Sequence, residues 1–247
     1  MTDQDFALRA LAALDLTSLN DGDDAAAVEK LCRRATTLYG NVAAVCVWPR
    51  FAGVAKASLA GKPIKIACVA NFPSGSEARA DVLATVEAAL RDGADEIDLV
   101  FPYREWLRGE TVKAETMVAT VKQACGNKKL KLILESGAFP DMARLAAACK
   151  VGRDAGADML KTSTGKIPTG ATPEAARVLL AAGGGFKASG GVRTLADAKI
   201  YLSLADEIRG PGWATPDNFR IGASGLLDVL LAILDGRTAA AQEPAVY

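Results

Sequence analysis

Three charged residues interrupt runs that otherwise read as buried strands. Lys161 lies in DMLKTSTGK, Lys187 in GFKASGG and Asp98 in DEIDLVFPYR. A buried ammonium is costly unless it is paired, so a lysine in such a run needs an electrostatic or chemical reason. Two lysines on neighbouring strands, about 4.8 Å apart, repel one another. Repulsion and desolvation both lower a lysine pKa, and a neutral amine near pH 7 is a nucleophile toward carbonyls. The pattern points to a Schiff-base amine, either Lys161 or Lys187, with the other lysine tuning it and Asp98 nearest to move protons. Two blander readings stand beside it: a rim lysine whose amine snorkels to water, or a buried Lys–Asp pair that serves stability alone.

The chain contains no histidine, which removes the commonest general base and the commonest zinc ligand. A Ser-His triad and a His-based metal site are both excluded. Proton transfers must fall to Lys, Asp, Glu, Tyr or Cys. The five cysteines (32, 46, 68, 125 and 149) are scattered, with no CxxC spacing, which fits a reduced, cytoplasmic setting. Lys plus Arg and Asp plus Glu number 29 each, so nucleic acid and anionic membrane are not expected partners. The start, MTDQDFALRA, has no apolar stretch of a signal peptide. No apolar run approaches the roughly 20 residues of a spanning helix.

The elements that must hold these charges follow from periodicity. Strands are expected at 42–48, 64–71, 96–101, 130–135, 159–164, 185–189 and 219–223, with a weak one at 205–208. Helical patterns lie between them. SEARADVLATVEAALRDG places Ala80, Leu83, Val86 and Leu90 on one face, and TPEAARVLLAAGG starts with Thr172 as N-cap and Pro173 at the first helical position. Eight strands alternating with helices predict a (β/α)8 barrel in one domain, 1–247. Residues 1–40 read as a helical cap and 236–247 as a loose tail. An open doubly wound sheet is the alternative, but no G-x-G-x-x-G follows the first strand. DGADEIDLV and AGADMLKTS repeat one helix-to-strand junction, so Asp98 and Lys161 fall at matching depth. We expect both to face the barrel axis, because a charge facing the helix layer would be hard to satisfy.

Glycine clusters follow three strands: STGK (163–166), GG (190–191) and GASG (222–225). Each reads as a tight turn; together they would form a ring of backbone N–H groups at the barrel mouth. The helix beginning GLLDVLLAIL favours an anion at its N-terminus, and phosphate sites in barrels commonly follow the last strands. Lys166 either adds a charge there or is a solvated loop lysine. Cys46 reads as a small core residue or a reactive one, and Glu135 as a catalytic carboxylate or a mouth ion pair.

These motifs, with ALDLTSLND, VAAVCVWPRF and RIGASGLL, resemble those of the 2-deoxyribose-5-phosphate aldolase family, in order from about Leu14 to Leu227. The resemblance implies a (β/α)8 class I aldolase that needs no metal or other cofactor. It would cleave 2-deoxy-D-ribose 5-phosphate to D-glyceraldehyde 3-phosphate and acetaldehyde. It makes Lys161 the Schiff-base lysine, Lys187 the lysine that depresses its pKa, Asp98 the proton-transfer carboxylate and Tyr247 a C-terminal phenol that assists enamine protonation. Asp15 and Cys46 would line the pocket. Thr164, Gly165, Lys166, Gly190, Gly191, Gly222, Ser224 and Gly225 would fall in the phosphate region. Gly225 departs from a common version of the pattern, which has a second hydroxyl residue there. A cytoplasmic homodimer or larger oligomer acting in deoxyribonucleoside catabolism is also implied. Another Schiff-base aldolase or transaldolase, and a sugar-phosphate-binding protein with a decayed site, stay open.

Overall fold

Eight short parallel strands close into a barrel in the computed structural model, which describes residues 1–237. Tyr247 and nearly all of the expected tail lie outside the described residues. The strands are β1 Leu14–Thr17, β2 Ala44–Val47, β3 Lys65–Ala70, β4 Glu96–Val100, β5 Lys129–Ile133, β6 Met159–Lys161, β7 Gly185–Ser189 and β8 Phe219–Ala223. Each pairs with the next, and β8 closes on β1 with Leu14 opposite Ile221. The strands are buried almost throughout, as expected when both faces are covered. Leu16, Val45, Ile97, Leu132, Leu160, Phe186 and Ile221 belong to one apolar core with the surrounding helices.

Among the described residues ten α-helices accompany the strands: α1 Asp3–Ala12, α2 Ala25–Arg34, α3 Ala52–Ser58, α4 Arg79–Arg91, α5 Tyr103–Leu107, α6 Thr111–Cys125, α7 Met142–Asp154, α8 Pro173–Ala181, α9 Leu195–Arg209 and α10 Leu226–Leu234. Thr172 caps α8 through the Ala175 N–H, with Pro173 in the first turn, as its sequence predicts. No helix among the described residues is long and apolar enough to cross a membrane.

Two expectations fail together. The weak strand at 205–208 lies inside α9, whose capping box joins Thr194 and Asp197 and whose buried stripe includes Ala198, Leu202 and Ala205. The eighth strand is instead β1, within the stretch read as a helical cap. It escapes detection because it has only four residues and Asp15 breaks its apolar run. The cap region 1–40 thus holds α1, β1, α2 and a small hairpin pairing Thr36 with Asn41, and α1 packs against α9 and α10. Asp98, Lys161 and Lys187 accordingly sit on the fourth, sixth and seventh strands rather than the third, fifth and sixth. The strand expected at 159–164 ends at Lys161. In α4 the buried stripe is Val82, Val86 and Ala89; Ala80 is exposed, and Leu83 and Leu90 sit at its edge.

Candidate active site

Register delivers the charges to one place. Lys161 on β6 lies opposite Lys187 on β7, Lys187 opposite Arg220 on β8, and Asp98 on β4 opposite Lys131 on β5. Two-residue alternation turns all of them to the barrel axis. Lys161 Nζ and Lys187 Nζ each donate to Asp98 Oδ2 at 2.8 Å. Lys187 also donates to Asp15 Oδ2 at 2.5 Å. Below them Lys131 Nζ stands 2.8 Å from Asp15, 2.6 Å from Glu96 and 3.0 Å from Asp98 Oδ1. Arg220 forks to Asp15 Oδ1 at 2.6 Å and to Glu96 Oε1 at 2.7 Å. The expected inward place of Asp98 and both lysines is what the structure shows.

Lys131, Arg220 and Glu96 escaped the sequence reading. Their signal was the one used for Lys161 and Lys187: a charge inside an apolar strand run, in KLKLI, FRIGA and EIDLV. The barrel interior is therefore an ionic column of three carboxylates and four bases, where branched apolar side chains are usual.

The column pulls its members apart in proton affinity. Burial alone would raise the Asp98 carboxyl, but Lys131, Lys161 and Lys187 outweigh it and hold the group well below the usual range. Asp15 is likewise held well below by Lys131, Lys187 and Arg220 against the pull of burial. Burial would lower Lys131 and Lys187. Asp15, Asp98 and Glu96 hold Lys131 well above its ordinary value, and Asp15 and Asp98 hold Lys187 above its own. Lys161 moves the other way. Burial pushes it down, Lys187 adds to that, and its Asp98 contact opposes only in part. Asp98 Oδ1 is buried with no hydrogen bond among the described residues, because Lys131 approaches it off the bonding direction.

Above the column, a cavity at the C-terminal mouth is lined by Lys161, by Thr17 of β1, by Gly222 of β8, and by Thr164, Gly165 and Lys166 of the loop after β6. Gly190 joins it from the loop after β7. Its φ of 87° excludes most side chains, and a Cβ there would stand 3.0 Å from Gly170 Cα and 3.4 Å from Gly165 Cα. Glycine thus lets two mouth loops touch. Glu135, with a left-handed φ of 55°, accepts from the Thr164 N–H at 3.2 Å and the Thr164 hydroxyl at 2.5 Å. Thr164 Oγ1 in turn accepts the Lys166 N–H at 3.0 Å, and Lys166 Nζ donates to Leu19 O at 3.0 Å. Burial raises the Glu135 carboxyl. It is a brace for the loop, a role between the two readings the sequence left open.

The other expected residues are distributed around this cavity. Ser224 and Gly225 follow Ala223, and Gly225 is the N-cap of α10, where it supplies no capping side chain. Gly191 is exposed at the rim. Asp15 and Cys46 are wholly buried beneath the mouth rather than at the cavity wall, and burial pushes the Cys46 thiol up.

A closed barrel with Lys161 at its carboxyl-end mouth and Lys187 buried beside it fits an enzyme of the aldolase class, and comparison narrows it. The chain matches the DeoC/LacD family aldolase pattern over residues 9–230, and it belongs to that family. It is 46% identical over 242 residues to the deoxyribose-phosphate aldolase of Agrobacterium fabrum, covering 94% of this chain and 93% of that one. A Toxoplasma gondii protein assigned as a deoxyribose-phosphate aldolase superposes with a TM-score of 0.86 at 25% identity, over 94% of this chain and 95% of that one. The tetrameric deoxyribose phosphate aldolase of Aeropyrum pernix superposes with a TM-score of 0.72 at 27% identity, over 94% and 92%. The chain is therefore an aldolase, a carbon–carbon lyase, and the decayed binding protein drops out.

Proposed function

We propose that this aldolase reversibly cleaves 2-deoxy-D-ribose 5-phosphate to D-glyceraldehyde 3-phosphate and acetaldehyde through a Schiff base on Lys161. The observation that carries the choice of lysine is exposure. Of Lys131, Lys161 and Lys187, it is Lys161 that lines the mouth cavity, and it is Lys161 whose pKa is pulled down. The substrate is carried by the relatives named above, together with a mouth whose glycine turns and Lys166 suit a phosphate.

The neutral amine attacks C1 of the open-chain aldehyde, and loss of water leaves a cationic iminium that acts as an electron sink. A base removes the C3 hydroxyl proton. The C2–C3 bond breaks, its electron pair enters the iminium, and glyceraldehyde 3-phosphate departs. The enamine then takes a proton at C2, and hydrolysis of the resulting iminium releases acetaldehyde and the amine. Asp98, held at a low pKa by three cations, is a poor direct base in the resting state. The iminium nitrogen keeps its charge and a single N–H, so Asp98 remains a low-pKa carboxylate that orients a water by accepting its hydrogen bond. Asp98 then relays the proton through that water, with Lys187 and the unbonded Oδ1 close by. We propose Thr164, Gly165, Lys166, Gly190, Gly191, Gly222, Ser224 and Gly225 for the phosphate end. Tyr247 is the donor to the enamine on the resemblance alone. A homodimer rests on the same ground, and sedimentation equilibrium at twice the monomer mass checks it.

Two measurements test the reading. Release of glyceraldehyde 3-phosphate from the phosphorylated sugar establishes the substrate. Reduction with borohydride in the presence of acetaldehyde should leave a two-carbon adduct at Lys161 on peptide mapping. An adduct at Lys187 would reverse the two roles.

A further inference from the structure

The ionic column contains one base more than it has carboxylates, and its contacts show which base is supernumerary. Lys131 touches Asp15, Glu96 and Asp98. Lys187 touches Asp15 and Asp98, and Arg220 touches Asp15 and Glu96. Lys161 touches Asp98 and no second carboxylate among the described residues. Losing a proton from Lys161 therefore sacrifices one ion pair and leaves three cations against three anions. Losing one from Lys131 or Lys187 sacrifices two or three pairs and leaves the same net charge less well distributed. Unbalanced charge among fully buried side chains is strongly disfavoured.

We propose that Lys131, Arg220 and Glu96 are positioning residues of the aldol reaction, which fix the charge of the barrel interior so that Lys161 is the base that gives up its proton. They act through Asp15 and Asp98 and do not line the mouth cavity. This rests on the Schiff-base reading above and extends it to residues well below the reacting atoms. Charged or titratable groups face Lys161 from every side that carries one. They are Asp15 from β1, Cys46 from β2, Asp98 and Glu96 from β4, Lys131 from β5, Lys187 from β7 and Arg220 from β8. Glu135 and Lys166 stand in the flanking loops. Inward Val69 of β3 is apolar. Of these groups, Glu96, Lys131 and Arg220 contact one another or the shared carboxylates and meet Lys161 only through Asp15 and Asp98.

The test exploits opposite signs. Lys131→Met leaves three carboxylates with only Lys187 and Arg220, so Lys161 becomes the compensating cation and its apparent pKa rises. Glu96→Gln leaves two carboxylates with three other cations, so the apparent pKa of Lys161 falls. Each shift should be about one unit, a tenfold change in reactive amine below the midpoint. Lys131→Arg keeps the charge and should restore the midpoint. The readout is the pH midpoint for the initial rate of adduct formation at Lys161 with acetaldehyde and cyanoborohydride, mapped by peptide mass. A purely structural role would lower yield or melting temperature without moving the midpoints in opposite directions. Midpoints that stay put, or move the same way, overturn the inference. If Lys131→Met does not fold, Glu96→Gln decides alone: a fall supports the inference, and no change or a rise defeats it. Absence of any adduct at Lys161 in the unsubstituted protein would instead sink the Schiff-base reading, so the two failures are distinct.

Discussion

Replacing Lys187 by leucine should turn the aldolase into an enzyme that works only at higher pH. Lys161 Nζ and Lys187 Nζ are each 2.8 Å from the same Asp98 oxygen, so the two nitrogens are separated by at most twice that distance. At about 5 Å and an effective dielectric of about 20, two like charges repel by about 3 kcal/mol. That is about two pKa units. Removing Lys187 also leaves Asp98 and Asp15 with one cation fewer, which strengthens the hold of Asp98 on a protonated Lys161. Both effects have the same sign, so the apparent pKa of Lys161 should rise by about two units or more. On the proposed Schiff-base route the neutral amine is the active form, so the acid limb of kcat/KM should move to higher pH. Below both limbs activity should fall about a hundredfold, and it should recover toward the parent value as pH rises past the new limb. Lys187→Arg retains the charge and should keep the limb near its original place, with whatever loss the wider guanidinium causes. Breaking a buried ion pair costs about 3–5 kcal/mol, so a melting curve must first show that the leucine variant is folded at the assay temperature. A folded Lys187→Leu protein with an unmoved acid limb would refute the electrostatic argument.

Glu135→Ala removes the brace from Thr164 and should raise KM for the phosphorylated sugar about tenfold, the cost of a hydrogen bond to a charged group. Glu135→Gln should keep most of the affinity, and comparison with unphosphorylated 2-deoxyribose shows whether the loss is specific to the phosphate end. Prolonged treatment with EDTA should leave turnover unchanged, because the chain has no histidine and Asp15, Glu96 and Asp98 are occupied by Lys and Arg. Activity lost to the chelator and restored by a divalent metal would contradict the iminium route. Tyr247→Phe should slow turnover and proton exchange at the acetaldehyde methyl group while leaving adduct formation at Lys161 intact. Equal rates in both proteins would remove the phenol from the reaction.

Why some of this site was legible in the sequence and some was not comes down to which signals are local. Lys161, Lys187 and Asp98 stand out because each breaks a short apolar run beside a glycine turn, and because strand alternation converts chain position into facing direction. Lys131 breaks its run in the same way, yet KLKLI begins with a second lysine and reads as an alternating strand with one wet face. Only closure of the barrel shows that this face is interior. Arg220 is hidden similarly, since a lone arginine near a strand start is more often at the rim than in the axis. β1 fails for a compounding reason: Asp15 makes LDLT look too polar for a core strand, and the cations that neutralise Asp15 lie more than a hundred residues away. The partner of each buried charge is set by tertiary closure, whereas the charge itself is visible locally. An unbroken apolar core would have been easier to trace from the sequence. It would also have lacked the column of four bases and three carboxylates in which Lys161 holds the fewest ion pairs.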